Sequence, residues 1–266
     1  YTPDCELSRV TRVAGRGWVG GWAETAAIVE RALALAAETD GVFDPTVAPL
    51  VELWGFKHLD YRVPTEAEIA GARARVGHRG VSVAPARSAI RFDRPGMALD
   101  LGATAKGYAV DRALAGLRAA GMARGRVDGG GNQGVFGPPG QTWRFGVKHP
   151  RDPGAVLGTV GLSGGGVATA GDAERGFWVG EVRHGHILDP RTGRPATGML
   201  SVTVVAPSAE EADALDTPLY VLGVERGKQL LARHPGCEAL FVEAGDRPGT
   251  YRLTATPGLD WRPEAP

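Results

Sequence analysis

The sequence has little cysteine, no net charge and no long hydrophobic run, and each absence excludes a class of protein. Cys5 and Cys237 lie far apart, and neither belongs to a CxxC or Cys/His cluster, so neither thiol catalysis nor a structural zinc site is predicted. Lys plus Arg and Asp plus Glu both total 30, which gives no argument for nucleic acid or an anionic membrane as partner. Because no apolar run reaches about 18 residues, no transmembrane segment is predicted.

Glycine, by contrast, is abundant, with 40 among 266 residues, which is typical of a chain with many tight turns. The length allows one large domain or two small ones. Because no convincing linker divides the chain, we expect a single domain over residues 1–266. The chain begins at Tyr1 rather than at methionine, which suggests a truncated or processed N-terminus from which a signal peptide or lipid anchor has been lost.

Helical and strand patterns alternate along the chain. Apolar residues spaced i, i+4, i+7 predict a helix over residues 24–39, ending near Gly41, and the stripe Val110, Leu114, Leu117 predicts another. Strands between Gly/Pro turns are predicted at Ser88–Phe92, Gly125–Asp128, Trp143–Val147, Leu157–Leu162 and Ser201–Ala206. The predicted fold class is therefore α+β or mixed α/β.

The segment LDLGATAKGY, residues 99–108, predicts a strand-like stretch followed by the start of a helix. A helix N-terminus offers unpaired N–H groups and a partial positive charge, and Lys106 adds a full charge, so the junction suits a phosphorylated ligand. It is not a P-loop, because Gly107 and Tyr108 follow the lysine where Ser or Thr is required. A strand-to-helix turn with a solvated lysine is the alternative, and the segment alone does not decide.

A glycine-rich segment, GGGNQG at 129–134, matches the dinucleotide pattern GxGxxG, but we reject the match. That fingerprint requires a helix after the glycines, whereas Pro138, Pro139 and Gly140 predict a second turn. The segment is interpreted either as a hairpin or as backbone lining a ligand pocket, since glycine permits close approach.

The segment SAEEADALDT carries a carboxylate and a hydroxyl on one helix face. Ser208 and Glu211 predict a capping box at a helix start. Asp213 and Thr217 then fall at i, i+4, and Mg²⁺ prefers such oxygen ligands. An ordinary solvated or capped helix face is the alternative.

Two histidines precede a predicted turn in HGHILDPRTG. If HGHIL is a strand, His184 and His186 share a face, which would allow a two-histidine metal site, although no third ligand is evident nearby. Surface or hydrogen-bonded histidines are the alternative, and His186 is also a candidate catalytic base. Asp-Pro-Arg-Thr-Gly predicts a sharp turn, in which Arg191 would bind phosphate or form a salt bridge.

Together these segments resemble the ApbE-type flavin transferase family, which moves FMN from FAD onto a protein threonine or serine. YTPDCELSRV is similar to the family's STY…SELSR, GVFDPTVAPLVELWGF at 41–56 to its FDPTVGPLV-x-LWGFG, and LDLGATAKGYAVD at 99–111 to its DLGGIAKGYAVD. The segments RVDGGGNQGVFG, VATAGDAERGF, HGHILDPRTGRPA and EEADALDTPLYVLG follow in the family's order and spacing. The resemblance covers nearly the whole chain.

This resemblance implies a single ApbE-like, T-fold-related domain with FAD as substrate and Mg²⁺ on its pyrophosphate. At the positions that match the family's motifs, the implied magnesium ligands are Asp213, Thr217 and the backbone carbonyl of Ala103. The implied contacts of FAD are Tyr1, Trp54, Gly55, Phe56, Asp100, Lys106 and Asp189. His186 and Asp189 would lie beside the transferred phosphate.

The implied mechanism is attack by an acceptor hydroxyl on the phosphorus of the FMN half of FAD, with AMP leaving. His186 is favoured as base because imidazole ordinarily titrates near neutral pH, and Asp216 is the competing candidate. Attack by water would instead give FMN and AMP, as in the family's metal-dependent FAD pyrophosphatases. A flavin-binding protein without turnover is the third possibility.

The expected partners are FAD and an acceptor flavoprotein with a Thr/Ser flavinylation motif, and no nucleic acid. The family resemblance implies an extracytoplasmic protein, with a lipid anchor or secreted, and a cytoplasmic protein is the alternative.

Three departures from the family pattern are present. Asn132 replaces the aspartate of AGGD and removes a negative charge, and Ala173 replaces the aromatic of GDYER, which we expect to open the pocket. The metal helix usually reads ADALATALF, where this chain has Asp216 and Pro218, adding a carboxylate and a predicted kink. We expect these changes to shift metal use or acceptor choice rather than abolish FAD binding.

Overall fold

The computed structural model describes residues 5–173, 175–247 and 249–264. The helices are α1 (Glu6–Arg12), α2 (Ala23–Glu38), α3 (Ala48–Leu53), α4 (Glu66–Arg73), α5 (Ala105–Ala119) and α6 (Ala209–Leu231). The strands are β1 (Trp18–Gly20), β2 (Val81–Ala84), β3 (Ala89–Phe92), β4 (Gly125–Asp128), β5 (Gln133–Phe136), β6 (Trp143–Lys148), β7 (Val156–Leu162), β8 (Gly165–Gly171), β9 (Gly176–Val179), β10 (Val182–Gly185), β11 (Leu188–Asp189), β12 (Arg194–Pro195), β13 (Met199–Ala206), β14 (Glu238–Ala244), β15 (Tyr251–Ala255) and β16 (Trp261–Pro263). Helices combined with antiparallel sheets confirm the predicted α+β class.

The described residues form two compact units. The first comprises residues 5–101 and 175–195, and the second comprises 102–173 and 196–264. The single domain expected over 1–266 stays a prediction. Among the described residues, no helix combines the length and apolar character needed to cross a membrane.

In the first unit, α2 confirms the helix predicted over residues 24–39, and a left-handed Gly41 follows its end. Strands β1, β3 and β2 form a three-stranded sheet in that order, and β9 pairs with β10 and β11 with β12. A hydrophobic cluster joins α3, α4 and β11, with members Leu50, Trp54, Phe56, Ile69, Ala72 and Leu188. This cluster fixes the segment that carries the predicted Trp-Gly-Phe ligand contacts.

The second unit contains a six-stranded sheet with the order β15-β14-β13-β8-β5-β4 and a three-stranded sheet with the order β16-β7-β6. Side chains of the two sheets form one apolar cluster that includes Phe145, Val160, Val167 and Leu240. Helix α6 packs against β8 and β13, and α5 packs against α6, β4 and β5. Because β13 is covered on both faces, all of its residues are buried.

The glycine-rich segment is a hairpin. It links β4 to the antiparallel β5, and Gly130 and Gly131 adopt φ values of 75° and 97° that favour glycine. A strand rather than a helix follows the glycines, so rejecting the dinucleotide fingerprint was correct.

The strand-like stretch expected before α5 is not a strand. Strand β3 ends at Phe92, and the chain reaches the start of α5 through bends and turns. Pro95, Gly96 and Gly102 lie in this connection, and such residues favour turns over a sheet ladder. The helix start itself is confirmed, since α5 begins at Ala105 and contains the predicted apolar stripe.

The helix kink predicted at Pro218 is wrong. Helix α6 continues through Pro218, and its non-helical residue is Gly223, with φ 73° and ψ −176°. Proline removes one backbone hydrogen bond, but Pro218, Leu215 and Leu219 are all buried, so packing offsets that loss. Gly223 lacks the Cβ that disfavours positive φ, and the kink falls there instead.

Candidate functional site

The start of α5 holds a carboxylate from α6. The backbone N–H of Gly107 donates to Oδ2 of Asp213 at 2.9 Å, and Lys106 Nζ donates to Asp213 Oδ1 at 3.2 Å. The same ammonium group donates to the carbonyl of Gly102 at 2.7 Å. The anion that the helix N-terminus meets in this structure is therefore a side chain of the protein itself.

Asp213 is almost fully buried, with 1 % of its surface exposed. Removing a carboxylate from water is costly unless donors or positive charge compensate it. The first turn of α5 supplies a backbone donor and a partial positive charge, and the half-exposed Lys106 supplies a full charge. These groups fix the carboxylate in place.

A close helix crossing brings Asp213 to this position. A Cβ on Gly107 would overlap the backbone carbonyl of Ala209, so only glycine allows α5 and α6 to approach this closely. The carboxylate of Asp111 accepts hydrogen bonds from the N–H groups of Ala209 and Glu210, both at 2.9 Å, and so caps α6 from α5. The role of Asp111 leaves no local signal in the sequence, because its partners are about 100 positions away.

The predicted capping residues are confirmed in part at the start of α6. Ser208 Oγ accepts a hydrogen bond from the N–H of Glu211 at 3.1 Å, which is the expected cap. The carboxylate of Glu211 contacts His234 Nδ1 at 3.2 Å.

Asp216 and Thr217 lie on the same face of α6 as Asp213, at spacings of three and four residues. Thr217 Oγ1 donates to Asp216 Oδ1 at 3.0 Å. Asp216 is 5 % exposed. Burial raises the pKa of Asp216 well above its usual range, the negative charge of Asp213 raises it further, and Lys106 and the hydrogen bonds with Thr217 partly oppose the rise.

The residues present fit a magnesium ion. They offer oxygen donors: the Asp213 carboxylate, the Thr217 hydroxyl and backbone carbonyls of the turn that contains Ala103. The ammonium of Lys106 already lies between an Asp213 oxygen and a carbonyl oxygen, which shows that this position favours positive charge. Within the described ranges, no cluster of three or more His, Cys, Asp or Glu side chains could hold a metal. Mg²⁺ suits such a site, because it takes one or two carboxylates and completes its shell with water and phosphate.

Asn132 lies in the hairpin beside the start of α5. Its carbonyl accepts from the N–H of Gly129, and a Cβ on Gly129 would contact Val110 of α5. The side chain is buried, and its Nδ2 has no hydrogen-bond partner among the residues that the structure describes. Here, too, glycine permits backbone to approach a helix closely.

In the first unit, the predicted DPRTG turn is confirmed. The N–H groups of Thr192 and Gly193 donate to the carbonyl of Asp189 at 3.1 and 2.8 Å, and Gly193 has a φ of 74°. Arg191 forms the salt-bridge alternative, because its Nε and Nη2 donate to Asp189 Oδ1 and Oδ2 at 2.9 and 2.8 Å. Burial alone would raise the pKa of Asp189, but the hydrogen bonds and charge of Arg191 outweigh it, so the pKa is lowered.

The two histidines do not share a strand. Strand β10 ends at Gly185, so it contains His184 but not His186, and the predicted common face is wrong. His184 packs between Trp54 and Phe177, with ring centroids 5.5 and 5.1 Å away, and burial lowers its pKa. His186 follows the strand, and its Nδ1 lies 3.2 Å from the carbonyl of Arg175. The aromatic packing of His184 was not visible in local sequence spacing.

The residues of the first unit that are predicted to contact FAD differ in their burial and in their hydrogen bonds. Trp54 and Phe56 are core residues, and Trp54 Nε1 donates to the carbonyl of Gly193 at 2.9 Å. Gly55 has a φ of 77°, and a Cβ there would overlap the backbone of Asp60. The N–H of Asp100 donates to the carbonyl of Pro45 at 2.7 Å. Tyr1 lies outside the described residues, and the roles of all these residues in binding stay predictions.

The structure is an antiparallel α+β fold in which carboxylate, hydroxyl and carbonyl oxygens lie near a lysine at the start of a helix. The profile of the ApbE family matches residues 1–241. An FAD:protein FMN transferase of Salmonella typhimurium is 36 % identical over 227 residues, covering 82 % of this chain and 65 % of that protein. The chain belongs to the ApbE family.

Solved structures give the same result. The ApbE protein of Thermotoga maritima matches with a TM-score of 0.85 and 37 % identity, over 95 % of this chain and 81 % of that one. The flavinyl transferase ApbE of Pseudomonas stutzeri, in its apo form, matches with a TM-score of 0.83 and 32 % identity, over 96 % and 80 %. The chain spans just under two thirds of the length of the Salmonella relative.

Proposed function

We propose that this chain transfers FMN from FAD to a threonine or serine hydroxyl of an acceptor protein, releases AMP and uses Mg²⁺. The observation that carries this proposal is the buried Asp213 carboxylate, held by Gly107 and Lys106 at the start of α5, with Thr217 one turn further along α6. Membership of the ApbE family and relatives named FAD:protein FMN transferase support it.

The chain's own residues account for binding the pyrophosphate. Asp213, Thr217 and the Ala103 carbonyl would hold Mg²⁺, which supplies charge neutralisation and polarises a phosphoryl oxygen. Lys106 is half exposed, so its ammonium group can contact a phosphate on the open side of the site. The first turn of α5 adds a partial positive charge. These groups stabilise negative charge on phosphoryl oxygens as the bond to AMP breaks.

His186 is the proposed base. Its Nδ1 lies within hydrogen-bond distance of the Arg175 carbonyl, and a proton on Nδ1 makes Nε2 the basic nitrogen. The acceptor oxygen forms a bond to the phosphorus of the FMN half, its proton goes to His186, and the bond to the AMP phosphate breaks with the electron pair leaving on AMP. Asp216, the competing candidate for the base, is buried and accepts a hydrogen bond from the Thr217 hydroxyl.

The test is incubation of the whole chain with FAD and Mg²⁺, with and without a flavoprotein domain that bears a candidate threonine. We expect the acceptor mass to rise by one FMN, with an equal amount of AMP released. Free FMN and AMP without labelling of the acceptor would identify a pyrophosphatase instead. Unchanged FAD that stays bound would identify a binding protein without turnover.

Asp213→Asn tests the metal assignment within this reaction. The variant keeps the size of the side chain but removes its charge, so we expect transfer to fall roughly 100-fold while FAD still binds. The control is Asp246→Asn, since the Asp246 side chain is 94 % exposed. Full activity of Asp213→Asn would contradict the assignment.

A further inference from the structure

Asp216 is a carboxylate that the proposed reaction leaves unused. Its side chain is buried on the face of α6 that carries Asp213 and Thr217, so it cannot be a solvating surface charge. Its Oδ1 accepts the hydroxyl hydrogen of Thr217 at 3.0 Å.

A threonine hydroxyl has one hydrogen and two lone pairs, and rotation about the Cβ–Oγ1 bond determines where each points. To bind a cation, the oxygen must direct a lone pair at the ion and its hydrogen elsewhere. An acceptor fixed beside the hydroxyl takes that hydrogen and so preselects the ligating orientation. Outer-shell acceptors of this kind commonly orient metal ligands in proteins.

We infer that Asp216 is a positioning residue, which holds the Thr217 hydroxyl with its lone pairs turned toward a divalent cation bound by Asp213 and Thr217. This inference rests on the metal assignment in the proposed function. It gives Asp216 a role that acts through Thr217, rather than through contact with FAD or the acceptor.

Two substitutions separate orientation from charge. Asp216→Asn keeps an acceptor oxygen for the Thr217 hydroxyl but loses the negative charge, whereas Asp216→Ala loses both. The matched control is Glu225→Gln, which removes a carboxylate from an exposed position of the same helix. Folding of each variant is checked by circular dichroism and thermal unfolding without metal.

The measurement is titration of the whole chain with Mn²⁺, alone and with FAD, followed by electron paramagnetic resonance. We expect Asp216→Ala to weaken Mn²⁺ binding about tenfold and Asp216→Asn by less than about threefold. In a Thr217→Ala background, Asp216→Ala should have little further effect, because the two residues act as one unit.

Equal losses of Mn²⁺ affinity in Asp216→Asn and Asp216→Ala would overturn the inference, because they would indicate an effect of charge alone. It would also be overturned if Asp216→Ala weakened Mn²⁺ binding as strongly in the Thr217→Ala background as in the unchanged chain, or if neither substitution weakened it. Absence of Mn²⁺ binding by the unchanged chain, with and without FAD, would overturn the metal assignment and the inference together. If Mn²⁺ binding responds as expected but no FMN is transferred, the inference stands and the proposed reaction fails.

Discussion

Buried carboxylates in this chain differ in how their charge is compensated. Asp44 accepts hydrogen bonds from Thr46 and from the N–H of His78, and Asp213 accepts them from Gly107 and Lys106. Asp189, which is only partly buried, is paired with Arg191. Asp216, by contrast, contacts a neutral hydroxyl, and burial, together with the negative charge of the nearby Asp213, raises its pKa. A carboxylate with weak compensation is costly in the folded chain and points to a role beyond stability.

Asp189 predicts a dependence of stability on acid pH. Its folded pKa is lowered, so it contributes stability above the pKa of the unfolded chain, and this contribution is lost as pH falls through the lowered folded value. We expect Asp189→Asn to reduce the free energy of unfolding by about 1–3 kcal/mol at pH 7, because a charged hydrogen-bonded pair is broken. Urea denaturation at a series of pH values measures this.

The difference between Asp189→Asn and the unchanged chain should shrink from pH 5 downward, as Asp189 itself becomes protonated. Asp246→Asn serves as control and should leave the unfolding curves nearly unchanged. A gap that stays constant down to pH 2 would show that the stabilisation does not depend on the carboxylate charge.

At the scale of elements, the crossing of α5 and α6 decides where the candidate ligands meet. Gly107 allows the contact with Ala209, Asp111 caps the start of α6, and Asp213 then reaches the N–H of Gly107. A strand of the six-stranded sheet also approaches here, because Gly166 leaves room for Ala209. The site is therefore built on two rigid helices over a sheet, which suits precise placement of ligands.

Gly107→Ala tests this crossing. The added methyl would overlap the backbone of Ala209, so we expect a loss of about 1–3 kcal/mol in the free energy of unfolding, together with weaker Mn²⁺ binding. Urea denaturation and the Mn²⁺ titration measure the two effects.

Gly116→Ala is the control in the same helix. A Cβ at Gly116 would meet no described atom within 4 Å, so this substitution should stabilise the chain by about 0.5–1 kcal/mol through helix propensity. If both variants behave alike, the helices do not require the glycine contact.

At the scale of the molecule, the core of the second unit lies between two sheets. Leu240 of β14 is fully buried in this cluster, whereas Leu253 of the neighbouring β15 is 40 % exposed. We expect Leu240→Ala to lower the free energy of unfolding by about 2–5 kcal/mol, since it removes packed atoms and leaves a cavity. Leu253→Ala should cost less than about 1 kcal/mol. Similar losses in the two variants, measured by urea denaturation, would contradict this assignment of the core.

Local patterns in the sequence predicted many of the elements. The spacing of apolar residues gave α2 and α5, and Gly/Pro turns bounded β4, β6 and β7 close to their observed ends. Predictions failed where packing over long distances competes with local preference. Pro218 remains helical because its neighbours are buried, and His184 turns into an aromatic cluster instead of pairing with His186.

Sequence alone was enough to predict the α+β class, the turn at Asp189–Gly193 and the resemblance to the ApbE family, because each depends on local spacing or on motifs in order, whereas the hairpin at the glycines was one of two alternatives that the structure resolved. The tertiary structure decided the partners of the candidate ligands. Asp213 meets Lys106 and Gly107 across more than 100 positions. Such contacts depend on how closely α5 and α6 approach each other. Glycine at position 107, which has no side chain, allows the close approach, and packing of both helices against the sheet maintains it.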